Sequence, residues 1–244
     1  MLTNYGSLEM NQLIKILVIA FSLFLISISS GKAFIMDIWT IEGMDPQALS
    51  DATADYQEKV IAGGAKMKSI RSSTKVRGDN SQGTTFVHVY YESHSDLMHD
   101  LSLSAANPSW FESTYGRINL SATSNNAIMS NNSPLPTSGG GEGQTVGYSF
   151  VEVKNIVDLS ANMTKFRKKM QSAGAKVDVD MLMCVTCGQS VSPANAMIYF
   201  AAANPAHMGE AMDIFTSSEM QGWVASNIVA HADQVDNGFL VFNN

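Results

Sequence analysis

The chain has 244 residues and a formal net charge of −7, with 45% apolar and 15% charged residues. That apolar share excludes a disordered chain, and the acidity excludes nucleic-acid binding, which needs a basic face against phosphate. Fifteen methionines suit an irregularly filled core.

Residues 1–33 read as an export signal. Lys15 precedes an apolar run over residues 16–28, shorter than the roughly 20 residues that span a bilayer. Gly31 and Ala33 place small residues at the −3 and −1 positions of a cleavage site after Ala33. Met10 opens a well-formed signal by itself, so Met1 reads as an upstream start. The competing reading is an uncleaved membrane anchor. Cleavage removes Lys15, Lys32 and Glu9 and moves the charge from −7 to −8. The expected location is the periplasm or the outside of the cell, with the membrane met only through the signal.

Residues 35–41 form the first predicted strand. Asp45 is an N-cap and Pro46 suits the first helical position. Leu49, Ala52, Thr53, Tyr56 and Val60 recur at three- and four-residue steps and mark one buried helix face. Gly63-Gly64 stops that helix. A second strand is expected over 65–76, a turn at 78–80 and a third strand over 84–91. A helix capped by Ser93 covers 95–104, and Asn107-Pro108 restarts a helical turn with Trp110 and Phe111. A weak fourth strand falls between 118 and 129. Ser, Pro and Gly then fill a flexible linker over 131–144.

Beyond the linker the plan repeats. A strand covers 146–153, and Asp158 caps a helix carrying Leu159, Met163, Phe166 and Met170. Gly174 stops it, and strands are expected over 176–184, 196–202 and 239–242. Pro205 starts a helix, and Ser217-Ser218-Glu219 opens a short one with Trp223. The repeat is also legible residue by residue. Gly63-Gly64-Ala65-Lys66 returns 110 positions later as Ala173-Gly174-Ala175-Lys176, and at the same offset Glu42 meets Glu152, Leu49 meets Leu159 and Lys59 meets Lys169. The class is α+β. Strand–helix–strand–strand–helix–strand, twice, is the order of two tandem ferredoxin-like (βαββαβ) units over 34–130 and 145–244.

On this order of elements the chain resembles the dimeric α+β barrel superfamily. That superfamily includes antibiotic-biosynthesis-type monooxygenases, stress-responsive barrel proteins and chlorite-dismutase-like haem proteins. The segments 84–104 and 196–215 carry the likeness, with the turns Asn107-Pro108-Ser109-Trp110 and Ser217-Ser218-Glu219-Met220. The resemblance implies that two antiparallel sheets pair around a cavity, here as one intramolecular barrel. It carries no catalytic motif and leaves an oligomer open.

The candidate pocket residues are Asp37 and Trp39 of the first strand and Phe86, His88 and Tyr90 of the third. An Asp, a His and aromatic rings around an apolar space could orient a small organic ligand and move a proton. Their counterparts at constant offset, Gly147, Ser149, Ala196, Ile198 and Phe200, are mostly small or apolar. The competing reading makes His88 a hydrogen-bonded core residue. Lys66, Lys68, Arg71, Lys75 and Arg77 read as a solvated strand edge. Glu42 and Glu152 end equivalent strands and read as solvated. Cys184 and Cys187 form Cys-x-x-Cys at the end of a strand, which favours a local disulfide over redox catalysis. His207 lies where haem-binding relatives keep a ligand, without a haem signature around it, so no cofactor and no metal are expected. Two functions follow. One is an exported barrel that holds a small apolar or aromatic ligand, or a partner; the other is a cofactor-independent monooxygenase or isomerase.

Overall fold

Local sequence sets where the helices begin and end. The computed structural model describes residues 34–42, 45–78, 84–118, 127–131, 143–186 and 192–243. The expected export signal, most of the expected linker and Cys187 lie outside them. The first half holds β1 (Phe34–Glu42), α1 (Pro46–Ala62), β2 (Ser69–Gly78), β3 (Thr84–Tyr91), α2 (His94–Ala106), α3 (Pro108–Thr114) and β4 (Ala127–Asn131). The second holds β5 (Thr145–Val153), α4 (Ile156–Ser172), β6 (Val177–Thr186), β7 (Ala196–Ala202), α5 (Pro205–Phe215), α6 (Ser218–Asn227) and β8 (Ala232–Phe242).

The carboxylate of Asp45 caps α1, accepting the Gln47 N–H at 2.8 Å. Gly64 and Gly174 follow α1 and α4 at φ of 97° and 94°, a region that favours glycine. Gly63 is glycine for a different reason: a Cβ there would overlap the ring of Trp110. The cap of α4 is Asn155, not the expected Asp158. Its side-chain oxygen accepts the Asp158 N–H at 3.2 Å while its Nδ2 donates to Asp158 Oδ2 at 2.7 Å. Asp158 is the return partner, three residues on.

The eight described strands are all antiparallel, in the order β1-β3-β2-β8-β5-β7-β6-β4, and β4 pairs back onto β1 to close a barrel. β4, β1, β3 and β2 of the first half are contiguous, as are β8, β5, β7 and β6 of the second. The halves join at β2–β8 and at β4–β6. Helices cover the outside of both halves, so β1, β3, β5 and β7 are buried on both faces over most of their length. Phe34, Met36, Tyr148, Tyr199 and Leu240 pack inside. Leu49, Val60, Val87 and Leu97 pack under the first-half helices, and Leu159, Phe166, Val179 and Met208 under the second.

Two expectations are corrected here. β2 is no edge, because β3 and β8 flank it. Alternation along β2 therefore turns part of the basic cluster inward. Arg71 borders the interior, and Lys75 is 7% exposed with its Nζ 3.8 Å from Asp236. Lys66, Lys68 and Arg77 stay exposed. β8 begins seven residues before the expected 239, since pairing with β5 over residues 145–153 carries the polar stretch Asp233 to Asn237 into the sheet.

Candidate functional site

The barrel encloses a cavity of about 280 Å3. Phe34, Met36 and Ile38 of β1, Phe86 and Tyr90 of β3 and Tyr148 and Phe150 of β5 make its wall largely apolar and aromatic. His88 of β3 projects into it and is 4% exposed. Its Nε2 is 2.8 Å from the Ser73 hydroxyl of β2, the next strand. Its Nδ1 has no hydrogen-bond partner among the described residues. Burial pulls the imidazole pKa from 6.5 down to about 3, so the ring is neutral at ordinary pH. A neutral imidazole with one nitrogen on Ser73 keeps Nδ1 for a ligand, as acceptor or donor according to the tautomer. Phe242, Phe86 and Tyr90 surround the ring, with centroids at 5.0, 6.2 and 6.5 Å.

Polar groups other than His88 are few. Arg71 and Ser69 of β2 and Gln144 beside β5 border the cavity, as does Tyr199 of β7. Burial pushes the hydroxyl pKa of Tyr90, Tyr148 and Tyr199 above the ordinary range, with Arg71 pulling that of Tyr90 back down. These are neutral phenols, suited to hydrogen bonding.

The five expected pocket residues do not converge. Phe86, His88 and Tyr90 line the barrel cavity, whereas Asp37 and Trp39 lie on the other face of the sheet, under the first-half helices. Cross-strand pairing gives the reason. Ile38 is opposite His88 and Asp37 is opposite Val89, and residues opposite one another share a face. The constant offset also fails on this face. Ile38 pairs with His88 as Tyr148 pairs with Tyr199, so β1 maps onto β5 at 110 and β3 onto β7 at 111. The second-half counterparts of Phe86, His88 and Tyr90 are therefore Met197, Tyr199 and Ala201, not Ala196, Ile198 and Phe200. That half supplies aromatic hydroxyls to the cavity, which sequence reasoning missed. The inward pairing of Arg71 with His88 was missed too, and only strand register reveals it.

Other candidates stay peripheral. Glu152 and His99 are exposed, and His207 is half-buried at the start of α5, where its backbone N–H donates to Asn204 Oδ1. The side chain of Glu42 lies outside the described residues, as does Cys187. Among the described residues no three His, Cys, Asp or Glu side chains are grouped to hold a metal ion, and no helix is long and apolar enough to cross a membrane.

No family model matches the sequence, and no curated protein does. Solved structures do match. A provisionally named monooxygenase from Fusobacterium nucleatum superposes with a TM-score of 0.58 at 11% identity, over 87% of this chain and 93% of that one. Another, from Lactobacillus acidophilus, gives 0.50 at 12% identity, over 87% and 95%. At such identities the likeness is one of architecture. The chain has the fold of the dimeric α+β barrel superfamily, with all eight described strands of the barrel in one polypeptide.

Proposed function

We propose that the barrel holds a small aromatic molecule bearing a hydroxyl or carbonyl oxygen, with His88 Nδ1 as its polar contact. The observation that carries this reading is a buried imidazole nitrogen without a partner among the described residues, in a largely apolar cavity. Leaving it unpaired costs roughly 1–3 kcal/mol, which a ligand oxygen would recover. Calorimetric titration with 1-naphthol and naphthalene tests it. The protein should bind 1-naphthol about tenfold more tightly, and His88→Phe should erase that difference while naphthalene binding persists. Equal affinity for both molecules in the unaltered protein overturns the reading.

A second reading has the same site activating an aromatic or quinol substrate towards dioxygen without a cofactor. The fold shared with provisionally named monooxygenases favours it. The strong burial of His88 disfavours it, since an imidazolium is costly there until an anion forms beside it. Dioxygen uptake with a dihydroxynaphthalene, lost in His88→Phe, would support this reading, and no uptake would end it.

The finer architecture and the setting belong to the same proposal. Each half reads as a ferredoxin-like unit, supported by the orders β4-β1-β3-β2 and β8-β5-β7-β6. Residues 131–144 tie the two units into one intramolecular barrel. The first 33 residues direct export, so N-terminal sequencing of the exported protein should begin at Phe34, and an intact Met1 or Met10 would refute it. Cys184 and Cys187 should resist alkylation until reduced.

A further inference from the structure

The outer face of the first-half sheet carries a second cavity, of about 130 Å3, between β1, β3 and the helices α1, α2 and α3. Its walls are mainly rings: Trp39, Tyr56, Tyr91, Phe111 and Tyr115. Asp37 borders it at 4% exposure. The Trp39 indole N–H donates to Asp37 Oδ2 at 2.7 Å, and Oδ1 has no hydrogen-bond partner among the described residues. Asp100, 3% exposed, borders the same space, and its two oxygens accept the backbone N–H groups of Lys66 and Met67 at 2.7 and 2.9 Å.

An unpaired carboxylate oxygen in an apolar site asks for a donor. Ring faces are negative and attract a cation, most strongly where water is excluded. A hard divalent metal ion would need six or more oxygens, and the ring walls supply none beyond a few hydroxyls. The remaining fit is a cation with its own N–H groups and an apolar body.

We propose that this cavity binds a small protonated alkylamine, which donates one N–H to Asp37 Oδ1 and packs its carbon chain against Trp39, Tyr56 and Tyr115. It lies across the sheet from the barrel cavity and does not depend on what that cavity holds. Among the described residues, the second half offers no counterpart of Asp37. Gly147 stands in place of Asp37, and the Phe239 ring comes within 3.0 Å of where a Cβ would be.

Calorimetry on the full protein with n-propylammonium chloride tests this, with 1-propanol as the neutral probe and tetramethylammonium as a cation without N–H. Propylammonium should bind about tenfold more tightly than either control. Asp37→Asn should remove that advantage without lowering the melting temperature, while His88→Phe leaves it intact. Failure of propylammonium to bind overturns the proposal, and so does equal binding of 1-propanol. Tetramethylammonium binding as tightly, or an Asp37→Asn variant that keeps its affinity, removes the hydrogen bond to Asp37 and overturns it as well.

Discussion

The two halves of the barrel share a strand order but not an outer layer. Under the second-half helices, Phe166 meets Phe200, Phe215 and Trp223 with centroids 5.4 to 6.1 Å apart across the cluster, and Phe239 lies over Gly147. Under the first-half helices, Tyr56, Phe111 and Tyr115 lie with centroids 5.1 to 6.5 Å apart but border an open space, and Asp37 enters the layer from β1. Inside the barrel the asymmetry recurs: β3 offers His88 where β7 offers Tyr199. One half is packed for stability and the other keeps buried polar groups short of partners. Such groups persist at a cost in stability, and that cost is a common mark of a site.

The comparison can be broken most forcefully at Phe166, which is 2% exposed at the centre of the ring cluster. Phe166→Ala should cost about 3–5 kcal/mol by urea unfolding. Its first-half counterpart Tyr56 already borders a cavity, so Tyr56→Ala should cost about half as much. Equal losses would mean that the first-half space is no real defect in packing.

A smaller effect is expected at the helix stops. Gly63→Ala drives a methyl group into Trp110 and should cost about 1–3 kcal/mol, whereas Ala173→Gly, at the matching position, should cost under about 1 kcal/mol.

The acid range sharpens the contrast inside the barrel. His88 has its folded pKa near 3 against 6.5 unfolded, so its share of stability is full above pH 6.5 and is lost as pH falls towards 3. The limiting slope for one proton is about 1.4 kcal/mol per pH unit. His88→Phe should remove that slope from a series of urea melts between pH 6.5 and 4, and an unchanged slope would place His88 in contact with water.

The smallest effect has the opposite sign. Burial raises the pKa of Asp37, so its carboxyl favours the folded state when protonated and opposes it when ionised at higher pH. Asp37→Asn should therefore raise the melting temperature slightly at pH 7 and do less at pH 4. A lower melting temperature at pH 7 would show that the carboxylate has a partner in solution.

The amino-acid sequence by itself determined the punctuation of this fold. Asp45, Ser93, Asn107-Pro108, Gly64 and Gly174 start and stop helices through contacts within about four residues, so their meaning survives without any tertiary context. The return of the Gly-Ala-Lys stretch marked the repeat for the same reason. What each strand face meets was decided only by the closed sheet. Alternation along β1 separates Asp37 and Trp39 from Met36 and Ile38, but both sets are buried, one under helices and one in the barrel, so polarity could not say which face lines the cavity. Lys75 reads as solvated for want of the partner strand β8, which lies more than 150 residues away in the chain, and Arg71 for want of its register with His88 of β3. The shift from an offset of 110 to 111 between β1 and β3, and with it the true counterpart of His88, came from pairing across strands. Register is a long-range property, and no local pattern encodes it when both faces of a strand are covered.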